Sequence, residues 1–396
     1  MEFLKKKLSN GISVVMEKRD LSVVSVSITN RFGGAYESSD VKGVAHFIEH
    51  LLFTGTKNRT HEDISREIEK RGGILNAFTN HEVTSFWFKL PSEYIFEGLD
   101  ILIDMLNNSI FDEEKFEKEK KVIIEEIKMY HDNPRMSAYE QIEKNMFEKP
   151  FGELIIGNRE TVSSLTRKQV VELFNRVYCP ENFIVSIVGN ADFDKICDYL
   201  EKKFSKKENK FDMNKIKTKN SESVDEREGI DQAHFVFALH APLPGTREFT
   251  ALQILDAYLA DGMSSRLFLE IREKRGLAYA VKSDISTEKN YCSYLIYVGT
   301  TKEAVQEVRK LIIEEFKKVK DMSEKDLKEA KQRLIGLKRV YSEESTNVMN
   351  ELMYEEYRKD AREYYKFEEI VNSIKLDEVK KLAEIKEFSS ATIVPK

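Results

Sequence analysis

His46-Phe47-Ile48-Glu49-His50 sets two imidazoles four residues apart, with a carboxylate beside the second. Imidazoles one helical turn apart can share a divalent ion, and a carboxylate on the same side can take a proton from a water held there. This residue set points to zinc-assisted hydrolysis of a peptide bond. The motif is short, and a solvated helix stripe is its bland alternative. Such stripes carry Lys, Arg and Glu in any order, whereas here only His, Glu and His interrupt an apolar segment.

The segment must be a helix to bring these groups together. At roughly 100° per residue, Val44, Ala45, Phe47, Ile48, Leu51 and Leu52 fall on one broad arc, and His46, Glu49 and His50 share the remainder. Ser39 or Asp40 is the expected N-cap. A catalytic zinc takes three protein ligands and leaves one position open. The charged stretch from Asp112 to Tyr130 offers the third. Phe116, Ile123, Ile127 and Tyr130 form an apolar seam widened by Val122, flanked by Glu119 and Glu126 on one face. Glu125 points toward solvent, so Glu126 is the better candidate; pattern alone leaves a solvated role open for both flanking glutamates.

With these segments in place the chain resembles the pitrilysin family of zinc peptidases, marked by the H-x-x-E-H (inverzincin) order. The resemblance spans nearly the whole chain. It includes the Glu-Lys-Lys-Val-Ile-Ile-Glu-Glu-Ile context of Glu126, Gly72-Gly73-x-x-Asn76-Ala77-Phe78-Thr79, the run from Gly157 to Thr166, and Cys179-Pro180-Glu181-Asn182. In the second half it includes Gly262 to Phe268 and Ile271-Arg272-Glu273-Lys274-Arg275-Gly276-Leu277-Ala278-Tyr279. The resemblance implies that His46, His50 and Glu126 bind one zinc per chain. It implies that Glu49 is the general base and that Glu119 orients a ligand histidine from behind. It assigns Arg272 and Tyr279 to substrate binding and to stabilising the tetrahedral intermediate; without it they read as ordinary helix-end residues. One departure is Ala260-Asp261-Gly262, where relatives often carry a glycine run.

Ile74–Thr79 precedes a β-branched and aromatic run, His81–Leu90, with which it is expected to pair. An edge strand near the metal can bind an extended peptide by strand addition. The resemblance gives that role to Asn76 and Ala77, with Phe78 beside them. A plain structural hairpin with Phe78 buried fits the residues equally well.

Bulk properties narrow the rest. The chain has 396 residues, 41% apolar and 33% charged, with a net charge of −6. No basic stripe with interleaved aromatics is present, which argues against nucleic acid. No run of about 18 apolar residues occurs, so no membrane span is expected. The start lacks the apolar core of a secretory signal, and cytoplasmic residence is the expectation. Cys179, Cys197 and Cys292 are widely spaced and read as buried thiols. His61, His81, His131, His234 and His240 lack ligand spacing and read as structural.

Strands and helices alternate along both halves. The expected fold class is therefore α+β, with two related domains, each a mixed or antiparallel sheet packed by long helices. Polar composition places a linker at 208–227, between a metal-binding domain (1–207) and a second domain (228–396) that supplies the Arg–Tyr pair. Larger relatives enclose a chamber with four such domains, so this chain is expected to work on peptides as a homodimer. A rival reading is a non-catalytic assembly subunit of the same family. Such subunits typically lack one or more ligands, whereas this chain keeps the full set.

Overall fold

The computed structural model describes residues 2–207, 209 and 211–396. Positions 208 and 210 of the expected linker lie outside the described residues. The strands are β1 (Glu2–Lys7), β2 (Ser13–Lys18), β3 (Val23–Asn30), β4 (Ile74–Thr79), β5 (Thr84–Pro91), β6 (Phe183–Gly189), β7 (Glu222–Arg227), β8 (Ala233–His240), β9 (Ala278–Thr287), β10 (Cys292–Thr300) and β11 (Ser389–Pro395). The α-helices of the first half are α1 (Val44–Leu52), α2 (His61–Glu69), α3 (Ile95–Asn108), α4 (Glu113–Asp132), α5 (Pro134–Met146), α6 (Arg159–Ser164), α7 (Arg167–Val177) and α8 (Phe193–Lys203). Those of the second half are α9 (Arg247–Leu259), α10 (Val305–Lys318), α11 (Glu324–Tyr341), α12 (Ser345–Arg358), α13 (Phe367–Ser373) and α14 (Leu376–Lys381).

The strands form two mixed sheets, as the α+β expectation requires. One runs β1-β2-β6-β3-β5-β4, with β2 and β6 parallel and the other neighbours antiparallel. The other runs β7-β11-β8-β10-β9, with β7 and β11 parallel.

The chain divides into two compact units, and their boundaries differ from the sequence reading. The first unit is 1–127, 153–215 and 342–364; the second is 128–152, 216–341 and 365–396. Thus α5 belongs to the second unit and α12 to the first. Packing explains the exchange. In the first sheet β3 alternates Val24, Val26 and Ile28 with Ser25, Ser27 and Thr29, a pattern that reads as half-solvated, yet all six are buried. Helix α12 covers part of this sheet: Ser345 Oγ bonds Ser25 Oγ at 2.9 Å, and Ser186 Oγ donates to the Met349 carbonyl at 2.7 Å. Met349, Val348 and Leu352 complete an apolar cluster with Val15 and Val188. In the second unit, Asn145 of α5 donates to Ser223 Oγ at 2.7 Å and to the Ser390 carbonyl at 2.8 Å. The expected linker corrects likewise. Its last residues are β7, because Glu222–Arg227 finds a parallel partner in β11. Composition sees only chain order, whereas these pairings join segments far apart in sequence.

The three cysteines are buried thiols, as expected. No helix among the described residues is long and apolar enough to cross a membrane.

Candidate metal centre

Helix α1 buries the six apolar residues that its periodicity marks, leaving His46, Glu49 and His50 half-buried. Its start is not capped by Ser39 or Asp40. The N-cap is Gly43, at φ +98°, without a side-chain bond of its own. Glu37 does the work instead. Its Oε1 accepts the Ala45 N–H at 2.6 Å and its Oε2 accepts the Gly43 N–H at 3.1 Å. Lys42 Nζ lies 3.6 Å from Glu37 Oε2 and donates to the Gly34 carbonyl at 2.7 Å. Both side chains are fully buried. Burial pushes the Glu37 carboxyl up to about 7, against the opposing pull of Lys42 and the two amides. Glycine at 43 is required twice over: its φ disfavours a side chain, and a Cβ would stand 2.7 Å from the Ile156 carbonyl.

Helix α4 supplies two carboxylates. Phe116 and Ile123 are buried along its inner face, Glu119 and Glu126 are half-buried, and Glu125 is exposed. Val122, expected to widen the apolar seam, is exposed. Glu126 Oε2 lies 3.6 Å from His50 Nε2 and 4.0 Å from His46 Nε2. One donor atom from each of His46, His50 and Glu126 lies within 4.8 Å of the others. Ligands about 2.1 Å from a tetrahedral zinc stand about 3.4 Å apart, so the set needs only a small contraction to hold one. Glu119 Oε2 lies 3.4 Å from His50 Nδ1, on the far side of that ring, where it fixes which nitrogen faces Glu126.

Electrostatics suit a cation. Burial, then the neighbouring His50, lowers the His46 pKa to about 3, so its ring is neutral and its lone pair is available. Burial also works to lower His50, but the Glu119 hydrogen bond and the charges of Glu49, Glu126 and Glu119 outweigh it and the net shift is upward. Burial raises the Glu126 carboxyl, with His50 opposing. Three carboxylates around two imidazoles leave an excess of negative charge for an ion to neutralise. The donor set therefore fits zinc.

Glu49 stands beside this group. Its Oε2 accepts a hydrogen bond from Thr79 Oγ1 at 2.5 Å, which joins α1 to the end of β4. Burial raises the Glu49 pKa, with Thr79 and His50 opposing. Strand β4 is an edge of the first sheet, paired antiparallel with β5 alone among the described residues. Asn76 is exposed, and its Oδ1 accepts the Ala77 N–H at 2.7 Å. Phe78 is half-buried and packs on the cluster of Val83, Ile184, Met353 and Tyr357.

Arg272 and Tyr279 lie in the second unit. Arg272, which read as a helix-end residue, lies in a π-helical turn at Phe268–Glu273. The Arg272 guanidinium sits 4.9 Å from the Phe268 ring centroid, and Tyr279, second residue of β9, is 46% exposed. Sequence reasoning missed Glu37 and Thr79. The only signal for Glu37 was an acid set between glycines and a lysine upstream of the motif.

Two family profiles match. Residues 13–159 match "Insulinase (Peptidase family M16)" and residues 164–334 match "Peptidase M16 inactive domain". An uncharacterized zinc protease of Rickettsia felis is 33% identical over 334 residues, covering 83% of this chain and 81% of the relative. The uncharacterized zinc protease YmxG of Bacillus subtilis is 30% identical over 355 residues, covering 87% of each. Among solved structures, a protease from Helicobacter pylori superposes with a TM-score of 0.92 at 21% identity, covering 100% of this chain and 99% of that one. A peptidase M16 inactive domain from Pseudomonas fluorescens gives 0.91 at 17% identity, covering 100% and 98%. Their likeness supports the fold, and the sequence relatives carry the rest: the chain belongs to the M16 (insulinase, or pitrilysin-type) family of zinc proteases.

Proposed function

We propose that the chain is a zinc-dependent endopeptidase that hydrolyses peptides or unfolded segments in an enclosed chamber. The observation that carries this is the convergence of His46, His50 and Glu126 from two remote helices, with Glu49 beside them. When bound, zinc supplies a Lewis acid that polarises a carbonyl and acidifies a water. In this reading the chain's own residues do the remainder. Glu49 accepts the proton of the attacking water and delivers it to the leaving amine. Its hydrogen bond from Thr79 orients the carboxylate and ties it to the substrate strand. Glu119 holds the His50 ring by Nδ1. An extended substrate adds to the free edge of β4 beside Asn76 and Ala77, where backbone pairing recognises peptide and tolerates sequence. Arg272 and Tyr279 bind substrate and donate hydrogen bonds as negative charge grows on the carbonyl oxygen.

The description "inactive domain" attaches to residues 164–334, which hold none of His46, Glu49, His50 and Glu126. The rival reading, a non-catalytic assembly subunit, predicts neither metal nor turnover. Metal analysis joined to cleavage of an unstructured peptide, before and after chelation, separates the two. Glu49→Gln should keep zinc and lose about 10²–10⁴-fold in turnover, the usual worth of a general base. Full activity in that variant overturns the base assignment; absence of both zinc and cleavage in the parent favours the subunit. A homodimeric working form and a cytoplasmic location belong to the same proposal. Sedimentation of a fully active monomer would exclude the first, and fractionation of cells expressing a tagged chain tests the second.

A further inference from the structure

Tyr279 is backed by a connected set of side chains within the second unit. The register of β9 against β10 slips between Gly299 and Thr300: Gly299 faces Ala280 and Thr300 faces Ala278. Tyr279 is thus the extra residue of a bulge, a device that re-aims a side chain. Its ring lies over Gly299. A Cβ there would stand 2.3 Å from Cε1 and Cζ of Tyr279 and 2.6 Å from Oη. Tyr279 Oη bonds Tyr297 Oη at 3.1 Å, and Tyr297 Oη bonds His234 Nδ1 at 2.8 Å. Tyr297 and His234 are buried. Tyr139 stacks on the Tyr297 ring at 5.9 Å, and the Arg135 guanidinium lies 4.8 Å from its centroid.

Each phenol has one proton, so the direction of the chain decides what Tyr279 can do. With hydrogen on His234 Nε2, Tyr297 donates to His234 and Tyr279 donates to Tyr297, which consumes the Tyr279 proton internally. With hydrogen on Nδ1, His234 donates to Tyr297 and Tyr297 donates to Tyr279, whose own O–H is left to point outward. Burial, and then the Tyr279 hydroxyl, push the Tyr297 phenol pKa up, with the Arg135 guanidinium over its ring opposing them, and bonds in series polarise one another. Burial, and then Arg135, lowers the His234 pKa, so the ring is neutral and carries a single N–H.

We propose that His234 and Tyr297 are positioning residues which, with His234 in its Nδ1–H tautomer, form a directed chain presenting Tyr279 O–H as a donor to a developing oxyanion. This rests on the reading of Tyr279 given above, and the test has one arm that needs no turnover. In protein labelled with ¹⁵N-histidine, with His234 assigned through His234→Gln, the Nδ1 of His234 should show the shift of a protonated nitrogen and Nε2 that of an unprotonated one. The opposite tautomer reverses the chain and overturns the proposal whatever the protein cleaves.

The second arm is kinetic. Tyr297→Phe should lower kcat about three- to tenfold, the rate equivalent of one hydrogen bond, with KM unchanged and no further fall in a Tyr279→Phe background. Gly299→Ala should reproduce the Tyr279→Phe loss, because the nearest atoms to its Cβ belong to the Tyr279 ring, which is free to swing out. A Tyr297→Phe effect that persists undiminished without the Tyr279 hydroxyl overturns the proposal. Wild-type turnover in Tyr279→Phe, with Glu49→Gln inactive, also overturns it, by removing Tyr279 from the reaction while the metal-and-base reading stands.

Discussion

Replacing Glu37 with alanine tests the claim that a buried ion pair, and not a cap within the 39–41 turn, holds the start of the motif helix. The change removes the acceptor of two backbone amides, Gly43 N–H and Ala45 N–H, and the partner of Lys42. Hydrogen bonds to a charged group contribute about 1.5–3 kcal/mol each. Removing one member of a buried pair costs about 3–5 kcal/mol, since the survivor stays desolvated. The terms overlap, because the same carboxylate serves both, so about 4 kcal/mol is the expected loss. Glu37→Gln keeps the side-chain volume and one acceptor oxygen, and should cost about half as much. Trp87, the single tryptophan, lies on β5 in the first unit, so its fluorescence follows the unfolding of that unit. Urea titrations with chelator present give the free-energy change without linkage to metal, through the shift in midpoint at constant slope. Zinc affinity, measured separately on folded protein, should fall in both variants, because His46 stands in the first turn of the loosened helix. An Ala variant that unfolds at the parent's midpoint refutes the capping argument. A destabilised variant with unchanged zinc affinity shows that the cap supports the fold without positioning the ligands.

Three further outcomes are expected. Glu119→Gln should weaken zinc binding about 10–100-fold while leaving Trp87 unfolding of the metal-free protein near the parent's, which competition with a chromophoric chelator can measure. Gly43→Ala places a side chain at φ +98° and 2.7 Å from the Ile156 carbonyl; it should cost about 2 kcal/mol or more in the same urea assay, and a neutral result would mean the loop relaxes freely. Burial raises the Asp256 pKa from 3.8 to about 6, against hydrogen bonds from Ser283 and Tyr294, so the folded state holds this proton more tightly than the unfolded one. Its contribution is therefore fully present below about pH 3.8 and is lost as pH rises through 6. Asp256→Asn should gain stability relative to the parent across that window, by about 1–2 kcal/mol at pH 7, in thermal midpoints taken from pH 4 to 8.

Much of the metal centre was legible because its information is local. One helical repeat in α1 separates six buried apolar residues from His46, Glu49 and His50, and the seam of α4 sets Glu119 and Glu126 apart from the exposed Glu113, Glu114, Glu117 and Glu125. What escaped depends on distant partners. Glu37 is an ordinary acid until a glycine turn folds it back onto the helix it caps. Strand β7 reads as linker because its residues are polar, and it is ordered by β11, which lies at the other end of the chain. His234 reads as a structural histidine, and only the register of β8 against β10, which sets it opposite Gly299 and two residues from the position facing Tyr297, brings the two together.

The traded helices constrain how this protein can be taken apart. A gene fragment that stops after residue 215 would encode the whole metal set yet omit α12, leaving Val15, Val188 and Ile184 bare to water. The complementary fragment would carry α12 with no sheet of its own beneath it and would lack α5. Neither piece is a natural unit of expression, and a nick between residues 204 and 221 should yield two fragments that stay together through denaturant concentrations at which either alone would precipitate.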